Sequence, residues 1–292
     1  MDWNSRRVTA ILENALMEDK ATRDATSYAC VDPRQQATAV VLAKQDFVLA
    51  GIGVIERVFE VFAALDGTVR DFPNITINPE MFDSARVRKG DHVAYIQYNA
   101  RVILSCERVL LNILQRMSGI ALETSKYVEA IAGTKAVILD TRKTAPGLRI
   151  LDKYAVKCGG ATNHRFDLAD GILIKNNHIA IAGGIANALQ NTHRNRRGEL
   201  QIQVEVRTMQ ELEEALENGA ERILLDNMTP DQCAQAARRI ASHPHNIPLE
   251  ASGGITLENA RAYAEAGVNF ISIGALTHSV KAVDISLRVM GE

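Results

Sequence analysis

Six short apolar runs in the second half of the chain each carry, or end on, residues able to do acid, base or anion-binding chemistry. Ala136-Val137-Ile138-Leu139 leads into Asp140-Thr141-Arg142-Lys143-Thr144, and Gly171-Ile172-Leu173-Ile174 leads into Lys175-Asn176-Asn177-His178. The run 202–206 holds Glu205 between two valines, 223–225 leads into Asp226-Asn227, 249–251 into Ser252-Gly253-Gly254, and 270–273 into Gly274-Ala275. A charge after any single run is ordinarily a solvated loop residue. Six successive ends of this kind point instead to one shared pocket.

Three chemistries are distinguishable among these residues. Arg142, Lys143, His164, Arg165 and Lys175 concentrate positive charge, and Arg108 stands in the helical stretch before them. Arginine grips carboxylates through paired N–H donors and lysine adds a mobile point charge, so the group suits a small molecule with two carboxylates beside a phosphate-rich cosubstrate. The competing reading is a surface ion-pair network in which Asp140, Asp152, Asp167 and Asp170 neutralise the cluster, with His164 a hydrogen-bonded core histidine.

Glu205 and Asp226 suit another task. An ionised carboxylate about 4 Å from a ribosyl oxocarbenium is worth on the order of 4 kcal/mol at an effective dielectric of 20, or roughly three decades in rate. The same pair could hold ribose hydroxyls, or a Mg2+ carried in with pyrophosphate, since that ion prefers hard oxygen ligands and retained waters. Sequence does not apportion these roles. The glycines after the last two runs are read as phosphate cradles, because a missing Cβ lets backbone N–H groups approach an anion and barrels often bind phosphate after their late strands.

The elements that must position these residues follow from spacing. The runs end roughly 20 to 35 residues apart, near the ~30 residues per strand–helix unit of a closed eightfold barrel. Thr208 before Glu211 and Thr229 before Pro230 and Gln232 mark helix starts, while Gly219 and Gly267 fall where helices should stop. Apolar strands alternating with capped helices predict a parallel sheet buried on both faces. Six strands are clear, a seventh is placed at 163–166, and no eighth is visible, so the fold class is α/β, an open or incomplete βα barrel. A smaller α+β sandwich domain precedes it. There, Val8, Ile11, Leu12, Ala15 and Leu16 predict an amphipathic helix, 39–42 and 47–50 a hairpin across Lys44-Gln45-Asp46, and 92–98 a strand. The expected domains are 1–115, with residues 280–292 packing back on it, and 116–279 for the barrel.

Composition narrows the partners. The 292 residues carry a formal net charge of −2, so there is no global basic field and nucleic acid is not expected as a ligand. The four cysteines, Cys30, Cys106, Cys158 and Cys233, lack metal-finger spacing and fit reduced thiols in a cytoplasmic protein. Neither a signal core nor a membrane span is expected.

Longer motifs contain these residues: Glu107-Arg108, Leu111-Asn112-Ile113-Leu114-Gln115-Arg116-Met117-Ser118-Gly119-Ile120-Ala121, Asp140-Thr141-Arg142-Lys143-Thr144-Ala145-Pro146-Gly147, Asn163-His164-Arg165, Leu173-Ile174-Lys175-Asn176-Asn177-His178, Val204-Glu205-Val206, Leu224-Leu225-Asp226-Asn227 and Ala251-Ser252-Gly253-Gly254-Ile255. In this order they resemble the quinolinate phosphoribosyltransferases, from about Ala37 to the C-terminus; Leu122, where threonine is expected, is a small departure. The resemblance implies transfer of phosphoribose from phosphoribosyl pyrophosphate to quinolinate with loss of CO2, giving nicotinate mononucleotide for NAD biosynthesis. It also implies Mg2+ delivered with the donor, no organic cofactor, and a homodimer in which Arg108 reaches the partner's site. By the same analogy Thr141, Arg142, His164, Arg165 and Lys175 contact quinolinate and Lys143 touches both substrates. Glu205 and Asp226 attend the ribose and metal, and Ser252, Gly253, Gly254, Gly274 and Ala275 hold the 5'-phosphate. Two rival activities are a phosphoribosyltransferase for another aromatic acid, such as the molybdenum-transport-associated homologue, and a Schiff-base aldolase built on Lys143 or Lys175.

Overall fold

The computed structural model describes residues 1–69 and 71–291. In chain order the first elements are α1 (Arg6–Glu18), α2 (Ala25–Cys30), β1 (Gln36–Ala43), β2 (Phe47–Val48), α3 (Val54–Asp66), β3 (Asn74–Ile77), β4 (Arg86–Val87), β5 (His92–Asn99) and α4 (Ala100–Ala130). Strand–helix alternation follows: β6 (Val137–Leu139), α5 (Arg149–Cys158), β7 (Ile172–Ile174), α6 (Asn176–Ala182), α7 (Ile185–Asn195), β8 (Ile202–Val206), α8 (Met209–Glu217), β9 (Arg222–Asp226), α9 (Pro230–Ala241), β10 (Leu249–Ser252), α10 (Leu257–Glu265), β11 (Phe270–Ser272), α11 (Ala275–His278) and β12 (Ile285–Val289). No described helix is long and apolar enough to cross a membrane.

The chain divides into two compact units. The first comprises 1–125, 144–160 and 277–292; the second comprises 126–143 and 161–276. In the first, β12-β1-β5-β3 form an antiparallel sheet and β2 pairs with β4. The amphipathic helix stands as α1, burying Val8, Leu12 and Leu16. The expected hairpin does not form. Both edges of β1 are already taken, by β5 and by the C-terminal strand β12, so Phe47 and Val48 turn away to pair with Val87 and Arg86.

The second unit is a six-stranded parallel sheet in the order β6-β11-β10-β9-β8-β7, helices alternating with its strands. The consecutive strands β6 and β7 lie at opposite ends of that order and are not paired with each other, which makes it the open barrel read from six apolar runs. The seventh strand placed at 163–166 is absent, and only Thr162 makes an isolated parallel bridge to Leu139. Side chains take the backbone N–H groups that a ladder would use: Asp140 accepts from His164, the His164 ring from Arg165, and Asp170 from Phe166. Such local bonds compete with sheet formation.

Sheet register fixes what reaches the carboxyl ends. Glu205, Leu224, Glu250 and Phe270 form one row across four strands, and Asp226, Ser252, Ser272 and Leu139 form the row two residues further on, on the same face of the sheet. Helix caps hold the ends in place. Thr229 and Gln232 close a full capping box on α9, and Thr208 accepts the Glu211 N–H at the start of α8.

Candidate active site

The cationic side is built after β6 and along the segment that follows Thr162. The Asp140 carboxylate, fully buried, accepts the His164 backbone N–H at 2.8 Å and the Asn163 side-chain amide at 2.7 Å. Arg165 donates through Nη1 to the Gly171 carbonyl at 2.8 Å. Burial and the like charge of Arg142 pull the Arg165 guanidinium below its ordinary pKa, against the opposing pull of Asp170. Two guanidinium groups held near each other and partly out of water form a site prepared for an anion, since an incoming carboxylate relieves both the repulsion and the lost solvation. Lys143 is exposed in the same loop, which is shaped by its N–H donating to Thr141 Oγ1 at 3.0 Å.

Across the sheet, β7, β8 and β9 assemble the acidic side. Glu205 is buried and accepts the Asn176 side-chain amide at 2.7 Å. Burial, then the neighbouring Asp226 carboxylate, push the Glu205 pKa up, while Lys175, Arg207 and the Asn176 contact pull it down. Arg207 bridges the pair, with Nε 3.1 Å from Asp226 Oδ2 and Nη2 4.0 Å from Glu205 Oε1. Lys175, Glu205 and Asp226 therefore share one electrostatic environment at adjacent strand ends.

The glycine side follows β10 and β11. Gly253 and Gly254 both have left-handed backbones, with φ of 95° and 63°. A Cβ on Gly253 would stand 2.2 Å from Asn227 Oδ1, so no other residue allows this approach of the β10 turn to the β9 turn. Asn227, itself left-handed at φ 55°, donates its N–H to the Ser252 carbonyl at 2.8 Å. Asn259 of α10 binds the Gly254 carbonyl and the Thr256 N–H, tying that turn to the helix. Gly274 and Ala275 are half-buried after the neighbouring strand β11.

Arg108 belongs to the other unit, on α4, where its side chain is 61% exposed and lies 3.7 Å from Glu107. Two residues escaped the sequence reading. Arg207 directly follows β8, and the rule that strand ends carry the chemistry would have found it. Glu250, fully buried in β10, accepts from Gln203 at 2.8 Å, Arg222 at 2.6 Å and Ser272, and His164 Nε2 lies 3.4 Å away. Burial alone would raise its pKa, but the His164 hydrogen bond, the Arg222 charge and the Ser272 hydroxyl pull it down below the ordinary carboxylate range. Its signal was a lone acid inside an apolar run.

Among the described residues no group of three or more His, Cys, Asp or Glu is placed to hold a metal ion. Glu205 and Asp226 supply two hard carboxylates, a donor set that fits a Mg2+ completing its shell with water and substrate phosphate.

An open α/β barrel whose strand ends carry paired guanidiniums, paired carboxylates and glycine turns belongs to the phosphate-handling barrel enzymes in its architecture. Residues 24–118 match the quinolinate phosphoribosyl transferase N-terminal domain and residues 120–288 its C-terminal domain; the chain belongs to that family. It is 41% identical over 286 residues to the probable carboxylating nicotinate-nucleotide pyrophosphorylase of Bacillus subtilis, covering 98% of this chain and 94% of that protein. It is 40% identical to the carboxylating nicotinate-nucleotide pyrophosphorylase of Mycobacterium leprae, covering 94% of this chain and 95% of that one. The crystal structure of NadC from Streptococcus pyogenes superposes with a TM-score of 0.89 at 36% identity, covering 100% of both chains.

Proposed function

We propose that this chain is a pentosyltransferase that joins the ring nitrogen of quinolinate to phosphoribosyl pyrophosphate and releases pyrophosphate and CO2, forming nicotinate mononucleotide for NAD biosynthesis. The observation that carries the reading is the division of one sheet's carboxyl edge into a guanidinium side at Arg142 and Arg165 and a carboxylate side at Glu205 and Asp226. A pyridine dicarboxylate fits the first, and a ribosyl cation forming at the anomeric carbon fits the second. The family and the carboxylating names of the B. subtilis and M. leprae relatives support the same reaction over another aromatic acid. Schiff-base aldolase chemistry is disfavoured by the same family and relatives, and Lys143 and Lys175 are both exposed, without the apolar burial that activates many nucleophilic lysines.

Arg142 and Arg165, with Thr141, Lys143 and Lys175 around them, orient the ring so that its nitrogen faces the anomeric carbon. The C–O bond to pyrophosphate breaks with its electron pair leaving on oxygen, and the N–C bond forms. The pyridinium so created draws in the electron pair of the adjacent C–CO2− bond, and a proton replaces the lost CO2. Glu205 and Asp226 stabilise positive charge on the ribose. They are also the residues that would hold Mg2+, which when bound neutralises charge on the departing pyrophosphate. Ser252, Gly253, Gly254, Gly274 and Ala275 offer backbone and hydroxyl donors to the 5'-phosphate. His164 joins the quinolinate side, with a role specified below. We further assign the active form as a homodimer in which Arg108, exposed on α4, is donated to the neighbouring site, and a cytoplasmic location, supported by four cysteines that are all free thiols.

The test is release of labelled CO2 from quinolinate with phosphoribosyl pyrophosphate and Mg2+ supplied together or singly. Release is expected only when all three are present. Release without the sugar donor would overturn the order of events, and equal turnover with nicotinate would overturn the substrate.

A further inference from the structure

Glu250 has no place among the substrate contacts assigned above, yet it is a buried acid bonded by several side chains of the barrel interior. It is fully buried, and four side chains, from three other strands and one loop segment, converge on it: Gln203 of β8, Arg222 of β9, Ser272 of β11 and His164 of the segment after Thr162. A buried carboxylate costs several kcal/mol of solvation unless its lone pairs are used, and here each oxygen meets two partners.

The His164 contact differs from the others in what lies behind it. His164 Nδ1 accepts the Arg165 backbone N–H at 2.7 Å. A nitrogen that accepts carries no proton, so the ring's proton resides on Nε2, the atom facing Glu250 at 3.4 Å. Both ring nitrogens are thereby engaged inside the protein. The backbone N–H of His164 is held as well, by Asp140 at 2.8 Å. Asp140 and Glu250 thus grip the segment between β6 and β7 from two sides, and Arg165, whose guanidinium stands near Arg142, is the next residue along it.

We propose that Glu250 is a positioning residue for quinolinate: it fixes the His164 ring as the Nε2–H tautomer, and through Nδ1 the ring fixes the Arg165 backbone, so that His164 orients the carboxylate clamp and does not itself donate a ring N–H to the substrate. The inference rests on the phosphoribosyl transfer proposed above. It predicts where a defect at Glu250 surfaces. Loss of its charge frees the ring and loosens the clamp, while the glycine turns that receive the sugar phosphate keep their own bonds to Asn227 and Asn259.

Two measurements test it. Two-dimensional 15N NMR of the histidine rings, assigned with a His164→Asn variant, is expected to show unprotonated Nδ1 and protonated Nε2; an Nδ1–H tautomer would overturn the proposal without any kinetics. Steady-state kinetics of Glu250→Gln then compares the two substrates. The KM for quinolinate is expected to rise about tenfold, the lower end of the loss seen when a metal-ligating histidine is deprived of the partner that orients it, with the KM for phosphoribosyl pyrophosphate changed less than about twofold. Arg222→Met serves as the contrast, because it removes another partner of Glu250 and leaves His164 in place; it is expected to lower thermal stability and keep the quinolinate KM. Equal rises in both KM values for Glu250→Gln, or a quinolinate defect in Arg222→Met as large as in Glu250→Gln, would reduce Glu250 to a structural residue. An inactive wild-type enzyme would instead contradict the reaction itself, and the NMR result would still decide the tautomer.

Discussion

Replacing Glu205 by glutamine is expected to lower kcat by about a thousandfold while raising thermal stability. The first half follows from charge. A carboxylate about 4 Å from a forming ribosyl cation contributes on the order of 4 kcal/mol at an effective dielectric of 20, or about three decades of rate, and a neutral amide of the same shape contributes little of it. The second half follows from proton linkage. Burial and the adjacent Asp226 raise the Glu205 pKa, so the folded chain takes up this proton more readily than the unfolded one. Between the unfolded and folded pKa values the folded state binds more protons, and stability therefore falls as pH rises through that window. At neutral pH the ionised Glu205 is a burden on the fold that glutamine removes. For the same reason the acid limb of the wild-type kcat/KM profile, which reports the free enzyme, should lie above the ordinary carboxylate range. Thermal unfolding and initial rates on one preparation check both halves, and a variant that is less stable and only a few-fold slower would mean that Glu205 is structural.

The second large effect concerns folding. Asp152, fully buried in α5, accepts Arg116 Nε at 2.9 Å and Nη2 at 2.8 Å, and also the Ala145 N–H at 3.2 Å in the loop that follows Lys143. Arg116 Nη2 also lies 3.3 Å from the Thr277 carbonyl. Breaking a buried pair by removing one partner strands the other charge and costs about 3–5 kcal/mol. Asp152→Ala should lower the melting temperature by on the order of 10 °C. Replacing both residues at once, Arg116→Met with Asp152→Leu, should recover part of the loss because no charge is left buried. A single variant as stable as wild type would show that Arg116 finds water or another partner.

These two acids mark what sequence conveys and what it hides. The six parallel strands, the helix starts at Thr208 and Thr229, and the clustering of chemistry at strand ends were readable because they are local: an apolar run, a cap and the residue that follows. Arg142 beside Arg165, and Glu205 beside Asp226, follow once the strands are set in order. Pairings that depend on competition were not readable. The 39–42 and 47–50 runs have hairpin spacing, yet a strand from the far end of the chain, β12, occupies the edge that a hairpin needs. Residues 163–166 lie between two strands where a seventh is expected, but Asp140, His164 and Asp170 take their N–H groups. Glu250 was hidden for a related reason: an acid in an apolar run is recognisable as unusual, but its partners come from three other elements.

The most direct test of the account is a crystal structure of the enzyme with quinolinate and a non-hydrolysable analogue of phosphoribosyl pyrophosphate. The quinolinate carboxylates are expected against Arg142 and Arg165, with the ribose of the analogue facing Glu205 and Asp226 and its 5'-phosphate at Gly253, Gly254 and Gly274. Quinolinate bound away from the two arginines, or the two ligands held on separate surfaces of the barrel, would contradict it.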